Sequence, residues 1–464
     1  MEPITVNELT AAVHGTLLGD FDSPDLTVTH LQRDSRIIQP GDVFLPLAGS
    51  RTDGHRFIDR ALNAGAAGTL TMHAPERMLP GKFYVLVDDT LKALGDLARW
   101  YRARFRIPVI AVTGSAGKTT AKDMIASVLG EHFRVRKTPE NYNNDIGMPE
   151  TLLSITQDDE IAVIELGMNH LGEIDYLTRI ARPDVAVIIN VGYAHIENLG
   201  SREAILQAKC EIFHGMEPGS GLALLNGDDE MLNAVPAWPV PVIRCGEGAD
   251  CGARCLSIVP EDDGMFMRAD IQGEAMDFQI PAAGHHMLYS VLMAAVLGRR
   301  YGMTAEEIQR GVSHFVPSGK RMLRMRRRNG ITLIDDSYNA NPTAVKAVLG
   351  ILSQRPERKK TAVLGDMFEL GEQGPALHAA CGRTVRELGI DVLIAVGPLS
   401  ENTAEAARGG STRVYWFASK EEAVPALARE LTPDSVMLFK ASHGMQFASL
   451  VEYARSVTIA EDGR

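Results

Sequence analysis

Residues 111–124 read AVTGSAGKTTAKDM and place two glycines, a lysine and two threonines directly after an apolar run. The common P-loop pattern, G-x-x-x-x-G-K-[ST], requires a glycine at position 112, where this chain has Val112. The turn is therefore two residues shorter than the usual phosphate-binding loop. It predicts a strand, a tight glycine turn and a helix, in that order.

The start of this helix offers the chemistry that a phosphate needs. Gly114 and Gly117 allow backbone N–H groups to turn toward an anion at the positive end of the helix dipole. Lys118 can then reach the outer phosphates, and Thr119 can hold a magnesium ion. The alternative interpretation is a glycine turn that only caps a helix. Because the motif follows a strand-like run, we favour nucleotide binding.

A repeating order of strands and helices surrounds the loop. Apolar runs at 160–166 (EIAVIEL) and 184–191 (DVAVIINV) are separated by helical patterns, which is typical of a parallel sheet covered by helices. The rhythm begins again after Pro317, with strand-like runs such as ITLIDD and SVMLFKA. We predict an α/β protein of three domains: a small α/β N-terminal domain (1–88), a central P-loop-type parallel-sheet domain (89–316) and a C-terminal Rossmann-like domain (317–464).

Composition excludes several classes of function. A chain of 464 residues suits roughly three domains at about 150 residues each. The formal charge of −12 argues against a general nucleic-acid binder, which needs clustered lysine and arginine. The apolar runs are of strand length, so no membrane span is expected. The N-terminus lacks the pattern of an export signal, so we expect a cytoplasmic protein.

Two polar residues follow neighbouring predicted strands. Glu165 ends the run IAVIEL, and His195 follows VIINVGYA. The carboxyl ends of parallel strands are where open α/β sheets bind ligands, and magnesium prefers hard oxygen ligands. The alternatives are a solvated carboxylate and a hydrogen-bonded loop histidine. Their position beside a phosphate loop favours a metal site. Asn141, Asn143 and Asn144 form a further cluster, which fits either a turn or amide groups that hold oxyanions.

Six motifs in order give the chain a resemblance to a known family. They are TGSAGKTT (113–120), NYNNDIGMPETLL (141–153), ELGMNHLGEI (165–174), NVGYAHIENLGS (190–201), AKCEIF (208–213) and DDSYNANP (335–342). Together they resemble the Mur ligases, and the likeness extends from DSRIIQPGDVFLPLAG (34–49) to KASHGMQF (440–447). The resemblance implies a three-domain, ATP-dependent and magnesium-dependent ligase that makes a peptidoglycan precursor.

The resemblance also implies substrates. The stretch YNANP (338–342) favours a dipeptide acceptor, so the expected partners are UDP-N-acetylmuramoyl-tripeptide and D-alanyl-D-alanine. Neither a nucleic acid nor a membrane is expected as a partner, and a monomer is expected. A mobile C-terminal domain, rotating near residue 317, would keep water from an acyl phosphate. The third residue of the stem peptide, diaminopimelate or lysine, is left open.

Roles for individual residues follow from the same resemblance. Lys118, Glu165, His195 and Lys209 match catalytic positions, and Thr119, Glu165, His195 and Lys209 match metal-binding ones. In the family, the counterpart of Lys209 is often a carbamate; whether this holds here is left open. Ser35 and Arg36 match the uridine-nucleotide site. The positions that match ATP contacts are Gly114, Ser115, Ala116, Gly117, Lys118, Thr119, Thr120, Asn144, Arg321, Asp336, Tyr338 and Asn339.

The sequence departs from the family pattern in two places. Many members read G-R-H-N-x-x-N-A where this chain has Gly284-His285-His286-Met287 and then Ser290. Two amide side chains near the expected adenine site are therefore replaced, and how adenine is held is left open. His443 stands where an arginine is more usual, which weakens a charge-based role because histidine is mostly neutral at pH 7.

Three other functions remain as alternatives. One is a Mur ligase that adds a single amino acid, and another is a folylpolyglutamate synthase, which shares the short glycine loop. The third is a nucleotide-gated binding module without bond-forming chemistry. Such a module would use Lys118 and Thr119 but would have no need for Glu165, His195 and Lys209 together.

Overall fold

The computed structural model describes residues 1–49, 52–261, 264–317, 322–327 and 330–460, with side chains to residue 457. These residues form four sheets with helices packed on them. The predicted α/β class with predominantly parallel pairing is confirmed. No helix in the described ranges is both long and apolar enough to cross a membrane.

The N-terminal part carries a small sheet and a separate pair of strands. Its elements are β1 (Ile4–Thr5), α1 (Val6–Ala12), β2 (Thr16–Leu18), β3 (Thr27–Val28), β4 (Leu31–Gln32), β5 (Val43–Phe44), α2 (Ile58–Asn63), β6 (Gly68–Thr71) and β7 (Phe83–Leu86). A 3₁₀ turn, Gly54–Phe57, precedes α2. The sheet has the order β2-β7-β6-β5-β4 and is parallel except for the edge strand β2, and β1 pairs antiparallel with β3.

The central part begins with a long helix and holds the largest sheet. Asp89 begins that helix by accepting hydrogen bonds from the N–H groups of Leu91 and Lys92. The elements are α3 (Thr90–Arg102), β8 (Val109–Thr113), α4 (Lys118–Leu129), β9 (Val135–Lys137), α5 (Gly147–Leu153), β10 (Ile161–Glu165), α6 (Glu173–Ala181), β11 (Val185–Ile188), α7 (Ile196–Leu199), α8 (Arg202–Cys210), β12 (Leu222–Asn226), α9 (Glu230–Asn233), β13 (Val242–Gly246), β14 (Ala253–Glu261), β15 (Gly264–Ile271), β16 (Glu274–Ile280), α10 (Met287–Arg300) and α11 (Ala305–Ser313).

The strand order of this sheet places the glycine loop at its centre. The order is β16-β15-β14-β13-β12-β11-β8-β10-β9, with parallel pairing from β14 to β9. Every residue of β8, β10 and β11 is buried, as expected for strands covered by helices on both faces. Because β8 lies between β10 and β11, the loops after these three strands meet at one edge.

An antiparallel extension of this sheet was not predicted. β14, β15 and β16 pair antiparallel. Buried and exposed residues alternate along much of β15 and β16, because these strands cover the core with one face only. Alternation of period two, as in EAMDFQI (274–280), was the available signal.

The predicted second strand–helix unit is present in the C-terminal part, which forms the last sheet. Its elements are β17 (Leu323–Arg326), β18 (Thr332–Asp335), α12 (Pro342–Ser353), β19 (Lys359–Gly365), α13 (Gly374–Glu387), β20 (Val392–Val396), α14 (Glu401–Ala407), β21 (Arg413–Phe417), α15 (Lys420–Glu430), β22 (Ser435–Lys440) and α16 (Ala448–Ala460). The sheet has the order β17-β18-β22-β19-β20-β21 and is parallel except for β17.

The C-terminal sheet is docked against the edge that carries the glycine loop. Asn341 Nδ2 donates to the carbonyl of Ser115 at 3.4 Å. Gly192 lies so close to Thr343 that a Cβ there would stand 2.7 Å from its Oγ1. The two parts therefore share the walls of one cleft. The predicted domain boundaries, at 88/89 and 316/317, stay a prediction.

Candidate nucleotide and metal site

The glycine loop joins β8 to α4, as the motif predicts. Gly117 begins α4 with a φ of +82°, a left-handed conformation that favours glycine. The Lys118 ammonium folds back and donates to the Gly114 carbonyl at 2.8 Å. The start of the helix thus faces the cleft with its lysine held over the loop, an arrangement suited to an anion.

Asn190 holds the loop from the neighbouring strand. Its Oδ1 accepts hydrogen bonds from the N–H groups of Ser115 at 3.1 Å and Ala116 at 2.9 Å, and its Nδ2 donates to the Ala116 carbonyl at 3.0 Å. This residue was missed in the sequence, although it lies just beyond the carboxyl end of β11. That position is the signal that could have found it.

Thr119 and Glu165 form the oxygen-rich centre of the site. Thr119 Oγ1 donates to Glu165 Oε2 at 2.9 Å, and Asn143 Nδ2 donates to Glu165 Oε1 at 2.8 Å. Glu165 is 1% exposed. A buried carboxylate that accepts from a hydroxyl and an amide is fixed in orientation. Of the asparagine cluster, Asn143 therefore holds this carboxylate, and all three asparagines line the cleft.

A buried lysine supports the same carboxylate. Lys122 is 1% exposed and donates to the carbonyls of Thr138 at 2.7 Å and Glu140 at 3.1 Å. Its ammonium is 3.8 Å from Glu165 Oε2. Lys122 thereby ties α4 to the segment that leads into the asparagine cluster. No sequence pattern distinguishes Lys122 from an ordinary helix lysine.

His195 lies at the start of α7 with a left-handed φ of +64°. Its Nδ1 is 2.6 Å from Oε2 of Glu369, a residue of the C-terminal part. Nδ1 is buried and the carboxylate lies off the N–H direction, so the two groups are in close contact without a well-aligned hydrogen bond. His195 holds the pKa of the Glu369 carboxyl below its ordinary value.

Lys209 lies near the end of α8 and is 1% exposed. Burial lowers the pKa of its ammonium well below the ordinary value, and the positive charge of Lys118 lowers it further. The neutral amine is therefore favoured at this position. Lys209 does not line the cleft.

The cleft encloses a cavity of about 600 Å³. Gly114 does not line it, and Asn144 lines it while its Oδ1 accepts from the Gly147 N–H at the start of α5, at 2.9 Å. The predicted residues that line the cavity are Ser115, Ala116, Gly117, Lys118, Thr119, Thr120, Asn144, Glu165, His195, Asp336, Tyr338 and Asn339.

The C-terminal wall of the cavity is held by a buried lysine that the sequence did not reveal. Lys440 Nζ contacts Asp336 Oδ2 at 2.5 Å and donates to the Asn339 carbonyl at 2.8 Å. The rings of Tyr338 and His443 are tilted against each other with centroids 5.6 Å apart. His443 thus contacts the predicted nucleotide-binding stretch through its ring.

Residues 284–290, which depart from the family pattern, contribute side chains both to the core and to the cavity wall. Met287 is 2% exposed and packs in the core of the central part. His286, Tyr289 and Ser290 line the cavity, and the Tyr289 hydroxyl donates to Asp228 Oδ2 at 3.1 Å. Burial lowers the pKa of the His286 imidazole, so its neutral form is favoured.

The predicted uridine-nucleotide residues lie elsewhere. Ser35 is nearly buried, and Arg36 is an exposed arginine whose guanidinium donates to Asp34 at 2.6 Å and 2.8 Å. They belong to the N-terminal part and not to the cavity. Arg321 lies outside the described residues. The structure thus brings the predicted ATP and metal residues together and separates Ser35 and Arg36 from them.

These features define a nucleotide-binding α/β protein with a shortened phosphate loop. Comparison with known families agrees: residues 27–102 match the profile "Mur ligase family, catalytic domain", residues 112–298 match "Mur ligase middle domain", and residues 320–443 match "Mur ligase, glutamate ligase domain". The chain belongs to the Mur ligase family.

Three relatives illustrate the similarity. The UDP-N-acetylmuramoyl-tripeptide–D-alanyl-D-alanine ligase of Bacillus subtilis is 36% identical, over 97% of each chain. A crystal structure of MurF from Acinetobacter baumannii superimposes with a TM-score of 0.89 at 30% identity, covering 98% of this chain and 99% of that one. MurF from Thermotoga maritima in complex with ADP gives a TM-score of 0.84 at 27% identity, over 94% and 99%.

Proposed function

We propose that this chain is an ATP-dependent ligase that joins D-alanyl-D-alanine to UDP-N-acetylmuramoyl-tripeptide and so forms the pentapeptide precursor of peptidoglycan. The observation that carries the proposal is the buried Thr119–Glu165 pair beside the glycine loop, in a cleft whose other wall comes from the C-terminal part. This geometry suits transfer of the terminal phosphoryl group of ATP to the carboxylate of an acyl substrate. Full-length relatives with this activity in their names support the choice of substrates.

The residues present fit a magnesium ion bound together with a nucleotide. Among the described residues, no group of three His, Cys, Asp or Glu side chains is arranged to hold a metal ion. Magnesium commonly takes one or two protein oxygens and completes its shell with waters and substrate phosphates. The Thr119 hydroxyl and the Glu165 carboxylate would hold it, with His195 beside them in the cavity wall. When bound, the ion would neutralise charge on the transferring phosphoryl group.

Lys209 fits a carbamate. Its neutral amine can add to CO₂, forming a C–N bond and releasing a proton, which turns the buried amine into an anion with two oxygens. The negative charge of a carbamate would be attracted to the positive charge of Lys118, whereas the ammonium form of Lys209 is repelled by it. We propose Lys118, Glu165, His195 and Lys209 as the catalytic set on these grounds, with Lys118 placed to meet phosphate oxygens.

ATP serves as a substrate in this reaction. A carboxylate of the acyl substrate attacks the γ-phosphorus, which gives an acyl phosphate and ADP. The amine of the dipeptide attacks the acyl carbon, the amide forms, and inorganic phosphate leaves with loss of a proton. The protein contributes positioning and charge neutralisation, because phosphoryl transfer leaves little covalent chemistry for side chains to perform.

The remaining assignments rest on the arrangement of the parts. We propose that residues 1–88 bind the uridine nucleotide near Ser35 and Arg36, that residues 89–316 bind ATP, and that residues 317–464 complete the cleft. We place the reaction in the cytoplasm, where ATP is available, and in a monomer. Tyr338, Asn339 and Asp336 would then contact the nucleotide from the C-terminal wall.

One assay tests the proposal against its rivals. Purified full-length protein, with Mg-ATP and UDP-N-acetylmuramoyl-tripeptide, should release phosphate only when D-alanyl-D-alanine is added. With the acyl carboxylate labelled with ¹⁸O, the label should appear in the released phosphate. Release that requires a single amino acid, or a folate with glutamate, would reassign the substrate. Absence of nucleotide turnover with every acceptor would favour a non-catalytic module.

A further inference from the structure

Glu369 is the side chain of the C-terminal part that reaches His195, and no sequence motif considered above includes it. Its Oε2 is 2.6 Å from His195 Nδ1. A second contact runs along the backbone, where the Glu197 N–H donates to the Glu369 carbonyl at 3.1 Å. Two atoms of one residue thus join the C-terminal part to the start of α7.

Both partners of this contact have a left-handed backbone. His195 has a φ of +64° and Glu369 a φ of +63°. Residues other than glycine, asparagine and aspartate rarely adopt this backbone conformation, which costs on the order of 1–3 kcal/mol. Two such residues that face each other across a boundary indicate that the surrounding structure fixes both of them.

The loop that carries Glu369 is anchored firmly to the C-terminal sheet. The Met367 N–H donates to His378 Nε2 at 3.0 Å, and the Phe368 N–H donates to Ser442 Oγ at 2.8 Å. Met367 and His378 are buried. Glu369 must therefore move with that sheet, and its distance from His195 reports whether the sheet is docked on the central part.

A carboxylate next to Nδ1 decides which ring nitrogen carries the proton. In the neutral imidazole, an unprotonated Nδ1 would repel a carboxylate 2.6 Å away, so the contact favours the proton on Nδ1 and the lone pair on Nε2, although the N–H is not aligned with the carboxylate. Carboxylates beside a metal-binding imidazole fix its tautomer and ring orientation. His195 lines the cavity, so its ring would be set for the site only when Glu369 is in place.

We propose that Glu369 is a positioning residue: it fixes the tautomer and orientation of His195 when the C-terminal sheet docks, and so couples docking to completion of the site. Glu369 itself does not line the cavity. The kinetic part of the test rests on the proposed function, whereas the spectroscopic part does not. Nucleotide affinity should depend little on Glu369, and the rate of ligation should depend on it strongly.

The first experiment is histidine ¹⁵N spectroscopy of the full chain at about pH 8, above the ordinary pKa of histidine. The His195 signal is assigned from its loss in His195→Gln. The unchanged chain should show His195 protonated on Nδ1, and Glu369→Gln should shift the signal toward the other tautomer. Protonation on Nε2 in the unchanged chain would overturn the proposal without any need for a variant.

The second experiment separates positioning from folding. Glu369→Gln should lower kcat by about ten- to hundredfold while KM for ATP changes less, and Glu369→Asp, which keeps the charge, should recover part of the rate. Glu372→Gln, an exposed residue in the same loop, is the matched control and should match the unchanged chain. Equal kcat for Glu369→Gln and the control would overturn the proposal. An unchanged chain without ligase activity would instead refute the proposed function and leave the ¹⁵N result to decide on Glu369.

Discussion

Thr119 and Glu165 meet at the carboxyl edge of the central sheet, where the Thr119 hydroxyl donates to Glu165 Oε2 at 2.9 Å. Thr119 lies on the helix that follows β8, and Glu165 is the last residue of β10, the strand beside it. Adjacent parallel strands therefore bring the two oxygens together, although 46 positions separate them in the chain.

Thr119→Val tests this pair, because it keeps the side-chain shape and removes the hydroxyl. We expect kcat for phosphate release to fall by about a hundredfold, as when one oxygen or donor of a preorganised site is lost. Steady-state assays at saturating magnesium provide the measurement. Glu160→Gln, at the opposite end of the same strand region, is the control and should retain full rate. Retained activity in Thr119→Val would remove Thr119 from the metal site.

Carbon dioxide should be required if Lys209 acts as a carbamate. Burial lowers the pKa of its ammonium, so more of the reactive neutral amine is present than on an exposed lysine. We expect activity to fall in CO₂-depleted buffer and to return with bicarbonate, and ¹³C-bicarbonate to give a carbamate signal that is lost in Lys209→Ala. In Lys92→Gln, which changes an exposed lysine, the signal and the CO₂ dependence should persist. Activity independent of CO₂ would argue for an unmodified amine.

Lys122→Met should destabilise the central part. The substitution leaves the carbonyls of Thr138 and Glu140 without their donor and removes the cation beside buried Glu165. Removing one partner of a buried charge contact costs about 3–5 kcal/mol. Thermal unfolding followed by calorimetry should show the loss. The control is Lys92→Gln, whose exposed ion pair with Asp96 should contribute less than about 1 kcal/mol. Equal effects of the two substitutions would contradict the prediction.

Acid should loosen the loop that carries Glu369. Burial lowers the pKa of His378 from its ordinary value of 6.5, and Nε2 accepts the Met367 N–H while Nδ1 contacts the Gly374 carbonyl at 2.9 Å. The unfolded chain therefore binds the proton more readily than the folded one. The contribution of neutral His378 to the free energy of unfolding is therefore complete above about pH 6.5. It decreases as the pH falls below that value, by at most about 1.4 kcal/mol per pH unit.

Hydrogen exchange measures this effect locally. Peptides from β19 and α13 should exchange faster as the pH falls below about 6.5, after correction for intrinsic exchange rates. His378→Gln should flatten the dependence, whereas His170→Gln, an exposed histidine, should leave it unchanged. A dependence that survives His378→Gln would assign the titration to another group.

Much of the fold could be predicted because its signals are local. The glycine turn, the buried runs around β8, β10 and β11, and the renewed rhythm after Pro317 each lie within a short stretch of sequence. The antiparallel β14–β16 extension was missed, because attention to continuous apolar runs overlooks strands that are buried on one face only. Local signals thus identify buried strands better than strands at the edge of a core.

The residues of the site also differ in whether a local sequence signal identifies them. Lys118 and Thr119 are recognisable from the glycine motif and Glu165 from its place at a strand end, and the structure brings them together. Asn190, Lys440 and Glu369 are not recognisable, since each becomes part of the site through a contact between distant segments. Lys440 looks like a strand lysine until Asp336 and Asn339 surround it. Such residues can be identified only once the packing of helices and strands against one another is known.

The cavity of about 600 Å³ has walls from both the central and the C-terminal parts. A small molecule that fills the cavity and contacts, for example, both Ser115 and Asn341 would link the central part to the C-terminal part. Ligand binding stabilises whichever state presents the complete pocket, so the two parts would then unfold together in a calorimetric scan. Merging of separate melting transitions into one would thus serve as a screen for inhibitors that bridge the cleft.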